Sequence, residues 1–432
     1  MRPLGHRSNV VAGERYGTRI INVLGGSEAA ELRAGADQSS TSGLGSATDP
    51  STARGGRLAY LDGLRALAFT LVFLFHTWEF AGRPHIPVVT PIIAQNTRPD
   101  FFVVLTGFLL MLPFARDPRR VDGFRPRLYL KRRLRRIVIP YYAALLFAVA
   151  LPQALVLGVR LVGGSADWQP MPSVANWLWH LSFLHIFSAE YWAGINGSLW
   201  TMSLEMQLYL LFPLLIVLWY RWGLRGLAAA LTVSLAYRFV AGLMASGQGF
   251  PVEFLVGANG LGRLAEFLAG AVCALWVFRV RRPGTPRGAL ALAVGVVAGY
   301  ALAHSPWAVP WNSVRELGLG VAFASVIALT VRTPSVAKAF SFRPVAWMGY
   351  RSYSLFLLHQ PLVWFFAEFL TKMLGVPDGI GKLLLLWTAG LGLTIVVGQV
   401  FFRTIEQPCI RWAKQVGTGP GPHAPAARTT GT

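Results

Sequence analysis

The chain has 432 residues, 54% of them hydrophobic and only 14% charged, with a mean hydropathy of +0.47. That composition excludes a soluble globular body and supplies many apolar runs near the roughly 20 residues needed to cross a bilayer. The net charge of +21 does not point to nucleic acid, because Arg and Lys sit mostly in short loops between apolar runs and no soluble basic domain is visible. Cys273 and Cys409 have no metal or redox spacing, so they read as packing residues and no metal is expected.

Residues 1–56 are rich in Gly, Ala, Ser, Thr and Arg and lack hydrophobic periodicity, which predicts a disordered tail. They also lack the apolar core of a secretory signal, so the first span is expected to act as the uncleaved insertion signal. A membrane domain over 57–415 follows, and residues 416–432 read as a second disordered tail. Within the domain the apolar runs predict ten spans, near 60–80, 100–115, 136–159, 199–219, 226–246, 262–280, 287–304, 313–332, 346–370 and 382–403. The fold expected is all-α, a polytopic helical membrane bundle. A shorter run, NWLWHLSFLHIF (176–187), is too short to span and is expected to lie at the interface or to re-enter.

Positive charge sets the orientation. The segment after the second span, ARDPRRVDGFRPRLYLKRRLRR, holds ten Lys or Arg. Arg221, Arg225, Arg279, Arg281, Arg282, Arg287, Arg332, Lys338 and Arg343 fall on the same side, against Arg83, Arg98, Arg160, Lys372 and Lys382 opposite. The positive-inside rule then places both termini in the cytoplasm.

Ionisable residues inside spans are costly and mark functional positions by default. Arg65 and His76 share the first span, eleven residues apart. At about 100° per residue they fall on one face, roughly 16 Å apart along the axis. Counting about 1.5 Å per residue through a core of about 30 Å puts Arg65 roughly 8 Å deep, with His76, Glu205 and His359 at about 24, 21 and 20 Å. Three helices thus bring His, Glu and His to one outer level, which predicts a polar cavity opening outward. Arg263, Glu266, Arg315 and Glu316 gather at outer helix ends and are expected to pair with each other.

The segments LDGLRALAFTLVFLFH (61–76), DFFVVLTGFLL (100–110), RRLRRIVIPYY (132–142), SLWTMSLEMQLYLLFP (198–213) and SYSLFLLHQPL (352–362) resemble, in order, the successive motifs of the acyltransferase 3 family of membrane O-acyltransferases. Thr106 stands where the family more often has Ser, keeping the hydroxyl. The extra C-terminal extracytoplasmic domain of some relatives is not expected, since little chain follows the tenth span.

The resemblance implies an acyltransferase that moves an acyl group, expected to be acetyl, from acyl-CoA to a hydroxyl of a sugar or glycosylated acceptor. An envelope glycan and a glycosylated metabolite both fit. Acyl-CoA is then a co-substrate, with no permanently bound cofactor, and the protein resides in the plasma membrane. The family's essential Arg and His match Arg65 and His76, and the Glu of its SLW segment matches Glu205. Transfer to a hydroxyl needs a base and charge stabilisation, roles that suit His76 as base, with Glu205 expected to orient it. From the residues alone a structural His and Glu pair fits as well.

Arg132, Arg133, Arg135 and Arg136 are candidates for the donor's phosphates, although a basic run beside a span also serves as a topology signal or a lipid contact. Arg65, deeper in, is placed to meet the donor's chain or its leaving thiolate. Trp200, Tyr209, Tyr353 and His359 are candidate acceptor or site-lining residues; Trp200 and Tyr209 fit equally as belt residues, and a lone His such as His359 is more often a hydrogen-bonded structural residue. From another class, a proton-coupled transporter would carry the same buried His, Glu and Arg, but no repeat relates the two halves.

Overall fold

In a computed structural model the described residues are 58–416, apart from 88, 95–97, 162, 166, 280–283 and 309–312. The tail expected over 1–56, nearly all of that over 416–432, and Arg281 and Arg282 lie outside them. Among the described residues every regular element is a helix. Its main helices are α1 (Ala59–Phe80), α2 (Arg98–Arg116), α3 (Pro126–Leu161), α4 (Val174–Leu181), α5 (Trp200–Trp222), α6 (Leu224–Ala245), α7 (Leu264–Arg279), α8 (Pro286–Ala303), α9 (Val314–Arg332), α10 (Arg343–Tyr350), α11 (Ser352–Leu374) and α12 (Ile380–Lys414).

Among the described residues nine helices are long and apolar enough to cross a membrane. The tenth expected span, 262–280, is α7, which at 16 residues is about 24 Å long and just short of a full hydrocarbon core. Side chains such as Leu146, Val233, Leu243, Val294, Val297 and Val396 are exposed on the outside of the bundle. In water such an apolar surface would be costly; against lipid it is the solvated face.

Three expectations change in detail. The basic run does not precede the third span as a loop: α3 starts at Pro126 and carries Arg132 to Arg136 on its first turns, continuous with the span. The span expected at 346–370 is two helices, α10 and α11, meeting at Arg351. The last span extends to Lys414 and contains two wide π turns, Leu386–Gly390 and Phe402–Glu406.

α1 is central, packed by α2, α10, α11 and α12. Its approach to α10 needs a glycine, because a Cβ on Gly349 would overlap the Asp62 carbonyl. α2 and α7 cross closely for the same reason. A Cβ on Gly107 would strike Phe267 O, and one on Gly270 would strike Val104 O, so small residues let the two backbones meet.

The short run at 176–187 docks on the bundle by one face and leaves Leu178, Leu181, Leu184 and Phe187 of the other exposed, as an interfacial segment does. The Tyr141 hydroxyl donates to His180 O at 3.0 Å and that of Tyr142 to Leu181 O at 2.7 Å. Ser203 Oγ donates to Phe183 O at 2.5 Å, and His185 Nε2 lies 3.1 Å from Leu199 O. His180, His185 and Ile186 are fully buried, and the two imidazoles stack with ring centres 4.2 Å apart.

The outer charged residues pair as expected and recruit two more. Arg263 binds Asp100 and, at 3.1 Å, Glu266. Arg315 lies 3.7 Å from Asp100 and 3.8 Å from Glu316, which also accepts from Arg238 at 2.8 Å. The network ties α2, α6, α7 and α9 together and so fixes the wall opposite α1.

Candidate active site

A cavity of ≈ 620 Å³ runs inside the bundle, lined among others by Arg65, His76, Glu79, Thr106, Arg133, Arg136, Trp200, Glu205, Tyr209, Tyr353 and Gln360. Arg65 and His76 therefore face one space, as their eleven-residue spacing on α1 requires. The wall contributed by α2 is Phe102 to Leu110, with the Thr106 hydroxyl the polar group in that stretch.

One end is cationic. Arg65 Nη1 donates to Asp62 Oδ1 at 3.0 Å and has Arg136 and Tyr209 as electrostatic neighbours. Arg133 lies over the rings of Tyr129 and Tyr209, at 5.6 and 5.4 Å from their centres. Glu205 accepts the Tyr209 hydroxyl and is surrounded by Arg136, Arg133 and Arg65. The π turn at the end of α12 adds a second carboxylate, Glu406, which accepts Ser354 Oγ at 2.5 Å and Ser354 N at 3.2 Å and faces Arg136 and Arg65. The two carboxylates, from α5 and α12, offset the positive charge that α1 and α3 bring to this end.

The other end holds the imidazole. His76 Nδ1 lies 3.1 Å from Glu79 Oε2, and Glu79 Oε1 accepts from Arg83 Nη2 at 3.1 Å. His76 and Glu79 sit one turn apart near the C-terminal end of α1, and Arg83 follows just beyond it. Behind His76 stands His359, fully buried, with ring centres 5.2 Å apart. His359 Nδ1 is 2.5 Å from Phe356 O. It backs His76 from the protein side rather than lining the cavity.

The pairing of Glu205 with His76 expected from helix depth is therefore corrected. The depth count, taken from the cytoplasmic end of α5, fixed a height along the helix but not the neighbours met there, and the neighbours of Glu205 are Tyr209, Arg136, Arg133 and Arg65. The acid beside His76 is Glu79, one turn along the same helix, a spacing of three that the sequence carried openly.

The four arginines of α3 also divide. Arg133 and Arg136, three apart, face the cavity. Arg132 donates through Nε and Nη2 to Val416 O at 3.1 and 2.8 Å, and Arg135 donates to Trp412 O at 3.3 Å while stacking on its ring at 4.1 Å. These two fasten the end of α12 to α3 and face away from the cavity. A helix of 3.6 residues per turn cannot aim four near-consecutive side chains at one space.

Of the remaining candidates, Trp200 lines the cavity and packs against Phe254 at 5.0 Å. Tyr209 carries the Glu205 contact. Tyr353 lines the cavity while its hydroxyl donates to Ile137 O at 3.0 Å, bracing α11 on α3.

The acyltransferase domain of the acyltransferase 3 family matches residues 58–403. An O-acetyltransferase, OatA, of Staphylococcus aureus (strain NCTC 8325 / PS 47) is 24% identical over 372 residues, covering 81% of this chain and 56% of that protein. A peptidoglycan O-acetyltransferase, OatA, of Listeria monocytogenes is 23% identical over 380 residues, covering 81% and 55%. The chain thus spans a little over half the length of these curated relatives. No solved structure matches.

Proposed function

The chain belongs to the acyltransferase 3 family, and from that premise we propose that it is a membrane O-acyltransferase, moving an acetyl or similar acyl group from acyl-CoA to a hydroxyl of a glycan. One observation carries the reading: a single ≈ 620 Å³ cavity has Arg65, Arg133 and Arg136 at one end and His76 with Glu79 at the other. The positive-inside count puts the cationic end toward the cytoplasm, where acyl-CoA is made. Planar guanidinium groups suit its phosphates.

In the neutral imidazole a proton on Nδ1 donates to Glu79, and Nε2 is then the basic nitrogen that takes the acceptor's proton. As the sugar oxygen attacks the thioester carbon, its proton passes to Nε2, and Glu79 stabilises the imidazolium that forms. Collapse of the tetrahedral adduct breaks the C–S bond, and the CoA thiolate leaves and recovers the proton. Arg65, on the same face as His76 but about 16 Å along the helix, is placed to meet the donor's chain rather than the reacting carbon. A peptidoglycan acceptor, as in the name of the Listeria relative, fits a multi-pass protein of the plasma membrane.

The test uses the full chain purified in lipid nanodiscs with acetyl-CoA and chitotetraose or cellotetraose. The expected result is free CoA together with an acetylated sugar, and loss of both in His76→Ala with donor binding retained. No CoA release with either sugar, as a transporter would give, contradicts the proposal.

A further inference from the structure

A second pocket of ≈ 330 Å³ lies beside the first, within the size range of about 300–1,000 Å³ usual for ligand sites. Its walls come from Phe80 at the end of α1, Ala148 to Gln153 on α3, the 169–172 loop, and Trp364 on α11. It shares two lining residues with the large cavity, Gly197 and Gln360. We propose that this pocket receives the neutral sugar acceptor, and that Gln360 is the partition across which the acceptor hydroxyl reaches His76. The proposal deepens the acyltransferase reading and rests on it.

The chemistry of the walls is the first argument. The two spaces differ in charge: arginine and glutamate line the large cavity, whereas among the described residues no Asp, Glu, Lys, Arg or His lines the second pocket. Its polar side chains are amides, Gln153, Gln169, Asn196 and Gln360, set beside the aromatic faces of Phe80 and Trp364. Amides donate and accept at once, which matches hydroxyl groups, and aromatic faces match the C–H face of a sugar ring. An anionic donor would find no counter-charge there. The rim is built rather than loose, since Gln153 donates to Gln169 O at 2.7 Å and accepts from Gln169 N at 3.2 Å.

The partition is the second argument. Pro361 has no N–H, so the α11 carbonyl of Leu357 loses its helical donor. Asn196 Nδ2 approaches that carbonyl at 3.4 Å, docking the 196–198 turn on α11. Asn196 Oδ1 then accepts Ser198 N at 3.1 Å and Ser198 Oγ at 2.9 Å. Gln360 closes against this fixed turn: its Oε1 accepts Ser198 N, and a Cβ added to Gly197 would lie 3.2 Å from its Nε2. The turn is pinned by backbone and side-chain bonds, whereas Gln360 is a half-buried rotamer-rich side chain. The residue before it, His359, packs on His76, so the partition borders the proposed base.

The test reads binding rather than turnover. Gln169→Cys and, separately, Trp364→Cys are made in the full chain in nanodiscs and labelled with a water-soluble maleimide, with Ser246→Cys as an exposed control outside the pocket. Chitotetraose at ten times its Kd is expected to slow labelling at 169 and 364 about tenfold and leave 246 unchanged. Gln169 holds the rim through its backbone, so its substitution does not threaten the fold. Equal labelling with and without sugar at both positions overturns the pocket assignment, even if acetyl transfer is found. Protection without transfer to any sugar keeps the pocket and sinks the acyltransferase reading instead. In Gln360→Ala, acceptor-independent release of CoA to water is expected to rise; release unchanged from the parent chain overturns the partition.

Discussion

At the scale of residues, the site is a set of paired side chains whose neighbours decide what each can do. His76 has a carboxylate one turn away, so Glu79→Gln keeps a hydrogen-bond acceptor for Nδ1 but removes the charge that stabilises an imidazolium. The expected outcome is a fall in kcat on the order of 10²-fold or more with the acetyl-CoA KM unchanged; equal kcat for the two proteins would exclude Glu79 as the positioning acid. The arginines of α3 give a sharper contrast. Arg133→Gln and Arg136→Gln each remove one charge from the cavity and are expected to raise the acetyl-CoA KM about tenfold, the loss of a charge-assisted hydrogen bond. Arg132→Gln and Arg135→Gln point at Val416 and Trp412, so they are expected to leave KM unchanged. Steady-state kinetics of the four variants decides whether cavity-facing geometry or mere positive charge governs the donor.

At the scale of elements, much of the layout could be read ahead of the structure, because length and hydropathy are strong signals for helices that must satisfy their own backbone in lipid. Ten apolar runs reappear as helices, and the Arg65 and His76 face was deducible from helical pitch. What could not be read was depth. The count for Glu205 failed because it fixed a height along α5 and not the neighbours there, and no hydropathy pattern announces the tertiary contacts that set it beside Tyr209, Arg133 and Arg136. Glu406 was hidden for a similar reason, since a π turn re-aims a side chain that regular α-helical phase would place elsewhere.

The 176–187 segment carries its own prediction. Burial, reinforced by the neighbouring His180, pushes His185 down to about 3. A neutral imidazole is thus favoured in the fold and a charged one in the unfolded chain below about 6.5. Stability from this residue is complete above the unfolded value and is lost as pH falls toward the folded one. Between pH 7 and pH 5 the loss is about 2 kcal/mol. Thermal unfolding of the chain in nanodiscs is expected to show it, and His185→Phe is expected to flatten that part of the pH dependence. A pH dependence unchanged by the substitution would place the sensitivity elsewhere.

At the scale of the whole molecule, charge and neutrality are separated along one path. The cationic end of the cavity gathers Arg65, Arg133 and Arg136, the imidazole end gathers His76 and Glu79, and the uncharged pocket lies beyond Gln360. That sequence of environments suits a negatively charged donor on one side and a neutral glycan on the other. The most direct measurement reconstitutes the chain in sealed vesicles and supplies acetyl-CoA only to the face that carries Arg133, with chitotetraose only on the opposite face. The account predicts acetylated sugar in the compartment that never held acetyl-CoA, abolished by His76→Ala. Acetylation only when donor and sugar share one face would contradict it.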